Sequence, residues 1–120
     1  MGTLIKERRI AAEPALSPDQ KVIRLEPADD PAKVLGELDG AARVEVNFPK
    51  FGDGRGYSIA RLLRERYGYK GELRAVGQIT RDQLFYLEHV GFNAYVLREG
   101  EDPVKALSAF NAFSASYQRR

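Results

Sequence analysis

The run Arg43-Val-Glu-Val-Asn-Phe48-Pro-Lys-Phe-Gly-Asp-Gly-Arg-Gly-Tyr-Ser58-Ile-Ala-Arg-Leu-Leu-Arg-Glu-Arg-Tyr-Gly68 changes its period halfway along. Arg43 to Phe48 alternates polar and apolar residues and reads as a strand. Ile59, Leu62, Leu63 and Tyr67 recur at helical spacing and share one face. Gly52, Gly54 and Gly56 stand between the two, with Asp53 and Arg55 interleaved. A strand that runs through a tight turn into a helix is the first half of a β-α-β unit.

Working outward, the unit repeats. Further strands are expected at Val22–Leu25, Leu73–Val76 and Ala94–Leu97, beside Val44–Phe48. Asp30-Pro31 supplies an N-cap and an N1 proline for a helix stopping near Gly40. The helix Ser58 to Tyr67 stops at Gly68 with Ser58 as its cap, and Thr80-Arg-Asp-Gln83 is a capping box for a helix stopping at Gly91. Asp102-Pro103 opens a last helix with Val104, Leu107, Phe110, Phe113 and Tyr117 on its apolar face. The order predicts an α/β fold of βαβα units: a parallel sheet, open or half-barrel-like, with right-handed crossovers and helices packed on it. Thr3–Ile10 reads as an edge strand or as half of a hairpin with Val22–Leu25, so residues 1–120 are expected to form one domain.

Composition narrows the chemistry. Of 120 residues, 43% are hydrophobic and 30% charged, with a net charge of +2, which suits an ordinary globular protein and does not point to nucleic acid. The chain has no cysteine, which removes disulfides, thiolate metal sites and thiol redox chemistry. No apolar run approaches the roughly 20 residues of a membrane span. A cytoplasmic protein with no membrane association, no metal site and no cofactor is expected.

Parallel sheets place ligands outside the carboxyl ends of their strands. That rule gathers three loops, 49–57, 77–80 and 98–102. They bring Lys50, Asp53, Gly54, Arg55, Gly56, Ser58, Gln78, Arg81, Arg98 and Glu99 toward one edge. Glycines at a strand-to-helix junction let backbone N–H groups approach an anion, and Lys50 and Arg55 add charge. Gly54 and Gly56 are expected to tolerate substitution poorly for backbone reasons, alanine straining the turn where φ is positive. The spacing matches neither G-x-x-x-x-G-K-[ST] nor G-x-G-x-x-G, and a tight turn with surface charges reads the same residues without a ligand. Arg61, Arg64, Arg66, Lys70 and Arg74 read as a solvated face or as a docking surface for an acidic partner. Phe85, Tyr86 and Phe92 read as core, and His89 as a favourable charge near a helix C-terminus.

The segment Asn47 to Gly68, with Phe51…Asp53-Gly-Arg-Gly-Tyr-Ser58 at its centre, resembles a family of uncharacterised bacterial proteins, the domain of unknown function 934, encoded beside sulfite reductase genes. Gly71-Glu-Leu-Arg-Ala-Val-Gly77, Arg81-Asp-Gln-Leu-Phe-Tyr86, Gly91-Phe92 and Ala109-Phe-Asn-Ala-Phe-Ser114 agree with it. The N-terminal part matches weakly and lacks the tryptophan-containing stretch of longer members. The resemblance implies a link to assimilatory sulfite reduction, sometimes labelled oxidoreductase, with sulfite reductase as a partner. The residues favour an accessory protein that binds an oxyanion or a partner, since no cysteine and only one histidine are present. The alternative is a small enzyme acting on a phosphorylated or sulfonated metabolite.

Overall fold

The computed structural model describes residues 2–12, 20–50 and 54–118, with side chains up to 112. Its strands are β1 (Leu4–Lys6), β2 (Arg9–Ala11), β3 (Lys21–Leu25), β4 (Ala41–Phe48), β5 (Glu72–Gly77) and β6 (Ala94–Val96). They lie in one open sheet in the order β2-β1-β6-β5-β4-β3. The four strands β3 to β6 run parallel, as the alternating pattern requires. β1 joins the free edge of β6 antiparallel and folds back into β2. The N-terminal strands therefore do not pair with Val22–Leu25, since β3 lies at the far edge. Glu7 and Arg8 turn the hairpin with φ of 52° and 60°, matching the right-handed twist of its strands.

Each crossover steps one strand in the same direction, so right-handed connections put every helix on one face. From that face Ile23, Leu25, Val44, Val46, Phe48, Leu73, Ala75 and Tyr95 enter the core. Opposite them stand Leu38, Ile59, Leu63, Leu84, Leu87 and Phe110 of the helical layer. The helices are α1 (Arg55–Arg61) with a π-helical continuation (Leu62–Arg66), α2 (Leu84–Val90) after a 3-10 turn (Arg81–Gln83), and α3 (Pro103–Gln118).

The first crossover departs from expectation. Asp30 caps it, accepting from the Ala32 N–H at 3.0 Å, yet Pro31–Gly40 winds as a 3-10 helix. Ten 3-10 residues span about 20 Å against about 15 Å for an α-helix. α1 also begins before Ser58, with Gly54 as its N-cap, so Ser58 sits inside the helix and donates its N–H to the Gly54 carbonyl at 3.3 Å. In α3, Ala106 and Phe110 are buried while Val104 is 67% exposed, so Val104 does not belong to the packed face.

Arg64 and Arg74, which the sequence placed on a solvated or docking surface, are structural. The Arg64 guanidinium donates to the carbonyls of Gly91, Tyr69 and Gly71, each at 2.8 Å, tying the end of the α1 layer to two loops. Burial pulls its pKa below the ordinary arginine value. Arg74 is 3% exposed on the other face of the sheet. There Arg24, Glu45 and Arg74 occupy one register line across β3, β4 and β5. Arg43 bonds Glu45 at 2.7 Å, Arg74 bonds Glu72 at 2.6 Å, and Lys6 reaches Glu72 at 2.7 Å.

Candidate functional site

The carboxyl ends of the parallel strands deliver four loops to one edge of the molecule. β4 ends at Phe48 and feeds exposed Pro49 and Lys50, and β5 ends at Gly77. Gly77 has φ of +101°, and a Cβ there would meet the Phe48 carbonyl at 2.4 Å. This close approach lets the Gln78 N–H donate to that same carbonyl at 2.7 Å, extending the β4–β5 pairing into the loop. β6 is followed by Leu97 and Arg98, whose N–H groups bond Thr3 and Ile79 carbonyls, both at 2.9 Å.

The loops after β5 and β6 converge with the start of α3 on a cleft of about 390 Å³. It is lined by Thr80, Arg81, Asp82, Arg98, Gly100, Glu101, Asp102 and Lys105, within the size range of small-molecule sites. Its fixed parts are well bonded. Thr80 and Gln83 complete the expected capping box, with the Thr80 N–H donating to Gln83 Oε1 at 2.9 Å. Glu101 accepts from the Arg81 N–H at 2.8 Å. Asp102 Oδ1 accepts from the Val104 and Lys105 N–H groups at 2.9 and 3.2 Å. The carboxylates of Glu101 and Asp102 thus hold backbone, while Arg81, Arg98 and Lys105 bring three cationic side chains to the cleft and Asp82 a further carboxylate.

Of the residues expected at the edge, the structure brings Arg81 and Arg98 into one cleft, and sequence reasoning missed Lys105. Its signal was its place in the first turn of the helix opened by Asp102-Pro103. Gln78 is exposed at the same edge, and Gly54, Arg55 and Ser58 are exposed at the start of α1. Gly56 is buried instead. A Cβ there would meet the Phe48 ring at 2.4 Å, so this glycine serves the packing of α1 on β4 and not a ligand. Neither Gly54 nor Gly56 has the positive φ that would strain a substitution. Asp53 lies outside the described residues. A hollow of about 450 Å³ lies at the other end of the sheet, between Leu35, Leu38 and Tyr67 to Gly71. It is on the amino-terminal side of β4 and β5, away from the edge where parallel strands present ligands.

Tyr86, read as core, is 48% exposed. Its ring meets Tyr57 edge-on at 4.9 Å and stacks on His89 at 6.2 Å. Phe92 is buried as expected, and Phe85 packs partly buried against the core. Among the described residues, no group of three His, Asp or Glu side chains is placed to hold a metal ion. No helix among them is long and apolar enough to cross a membrane.

No curated protein and no solved structure matches the chain. A family model does, over residues 22–120, from β3 through all of α3. It covers the parallel strands, the glycine-rich junction and the cleft at the strand ends, and leaves out only the N-terminal hairpin and the segment after it. The chain belongs to the bacterial protein family of unknown function DUF934.

Proposed function

We propose that this chain is a cytoplasmic accessory protein of assimilatory sulfite reduction, holding a small oxyanion or an anionic group of a partner at the carboxyl edge of its sheet. The observation that carries the binding reading is the convergence of Arg81, Arg98 and Lys105 on one cleft. Guanidinium groups suit planar and tetrahedral oxyanions because their N–H donors pair with two oxygens at once. The sulfur connection rests on the family resemblance, with sulfite reductase as the partner it suggests. The chain itself does not carry the electrons in this reading, because it has no cysteine and its one histidine lies against Tyr86.

Two experiments separate the parts. A deletion strain should grow slowly on sulfate or sulfite and normally on cysteine, and normal growth on sulfate removes the sulfur role. Purified chain titrated with sulfite, sulfate and phosphate should bind at least one of them. Arg98→Ala and Arg81→Ala should each weaken that binding by about tenfold, for charge-assisted bonds of roughly 1.5–3 kcal/mol. Loss in Arg55→Ala alone would move the site to the α1 junction. Turnover of a phosphorylated or sulfonated metabolite by the purified chain would replace the accessory role with an enzymatic one.

A further inference from the structure

The seam between α1 and α2 lies on the outer surface of the helical layer. Two tyrosines meet across it, Tyr57 from α1 and Tyr86 from α2, with ring centroids 4.9 Å apart. Behind Tyr57 stands Phe48 at 5.3 Å, and behind Phe48 stands Phe92 at 5.8 Å. The Tyr57 hydroxyl accepts from Gln83 Nε2 at 3.4 Å. Tyr86 is thus a half-exposed ring at the end of an aromatic stack rooted in the core. A ring held in place before binding loses little freedom on contact, and such tyrosines are characteristic anchors of protein interfaces.

Charge selects the occupant. From Arg55 to Arg66, α1 and its continuation carry Arg55, Arg61, Arg64 and Arg66 against a single acid, Glu65. Arg61 lies one turn beyond Tyr57 on the same flank and is exposed. Arg64 is clamped nearby on three carbonyls, so its charge stays at the seam. The one acid of α2, Glu88, is held by Arg8 through bonds of 2.6 and 3.1 Å.

We propose that the α1–α2 seam is a docking surface for an acidic protein segment, with Tyr86 as its apolar anchor and Arg61 as its charged contact. Arginine and tyrosine also bind single-stranded nucleic acid, where successive bases stack on open ring faces. Here Tyr57 and Tyr86 cross at 71°, and one face of Tyr86 is taken by His89 at an interplanar angle of 26°, so the two tyrosines do not form a pair of parallel open platforms for successive bases. The surface is separate from the cleft at the strand ends, so its test does not depend on the sulfur role.

The test uses the full chain, isotopically labelled for amide NMR and titrated with a random glutamate–tyrosine copolymer and, separately, with a single-stranded oligodeoxynucleotide. Copolymer-induced shifts should concentrate on Tyr57, Arg61, Gln83, Tyr86 and His89. Tyr86→Ala and Arg61→Glu should each weaken binding by about tenfold or more, as hot-spot truncations do. Lys33→Ala, on the exposed side of the 3-10 helix, should bind as wild type does. Both test residues are exposed in whole or in large part, so thermal melts should stay within a few degrees of wild type. Absence of copolymer binding, shifts clustered elsewhere, or unchanged affinity in folded Tyr86→Ala and Arg61→Glu overturns the proposal. Tighter binding of the oligonucleotide at the same residues reassigns the seam to nucleic acid.

Discussion

The two faces of this sheet are built from the same strands by opposite means. On the helix side, Val44, Val46, Phe48, Leu73 and Ala75 are at most 1% exposed and belong to the apolar core. On the other side, Arg24, Glu45 and Arg74 cross the strands in one register line, joined to Arg43, Glu72 and Lys6 by ion pairs. Parallel sheets usually carry helices on both faces and therefore read as continuous apolar runs. In this sheet β4 alternates instead, with Arg43, Glu45 and Asn47 between Val44, Val46 and Phe48. Burying a charge costs more than burying a methyl group unless the charge is paired. Pairing along β4 and along β5, with Arg24 and Lys6 added from β3 and β1, is what makes the second face tolerable. The lesson is that the apolar face is held by volume, and the ionic face by partners.

Substitutions can break that contrast. The largest effect is expected from Phe48→Ala, which empties the space between the end of β4, Tyr57 and Phe92 and should destabilise by about 3–5 kcal/mol in chemical denaturation. Gly56→Ala should also be severe, because its Cβ would collide with the same ring. Its cost should shrink when combined with Phe48→Leu, and additive costs in that double-mutant cycle would show that the ring is not the obstacle.

On the ionic face the rule should change. Glu72→Leu alone removes a carboxylate that pairs both Arg74, whose side chain is 4% exposed, and Lys6, and should cost about 3 kcal/mol. Adding Arg74→Met should recover most of that loss, since exchanging a buried pair for apolar groups is often nearly neutral. A double variant as unstable as Glu72→Leu would mean that this face too depends on packing. Arg64→Ala, which releases three carbonyls, should cost about 2 kcal/mol, measured by thermal melting. The smallest change belongs to Gly54→Ala. Gly54 has φ of −68° and open space where a Cβ would go, so alanine should be neutral or stabilising by up to about 1 kcal/mol. A marked loss of stability there would restore the strained-turn reading.

Much of the fold was legible because its signals are local. The period-2 runs read straight from sequence place β3, β5 and β6 within a residue, while β4 begins three residues earlier than expected and the helix capped at Thr80 opens with a 3-10 turn before α2. What misled was of a different kind. Ser58 carries a good capping side chain, but the helix starts at Arg55, where Gly54 already has helical dihedrals. Tyr86 and Val104 are apolar residues that the packing leaves outside. The candidate site was half legible. The rule about strand ends pointed to Arg81 and Arg98, whereas Lys105 joined them only through the position of α3.

By itself the sequence determined the α/β class, the parallel order of β-α units, the absence of thiol chemistry and membership in the family, because periodicity, caps and composition are properties of neighbouring residues. Tertiary structure alone decided the rest. It put the N-terminal hairpin on β6 and not on β3, turned Arg64 and Arg74 from surface charges into struts, and hid Gly56 beneath Phe48. It also brought Tyr57 against Tyr86 across two helices. Each of these depends on which distant residue arrives within a few ångströms, and that is set by how the core closes, not by any spacing along the chain.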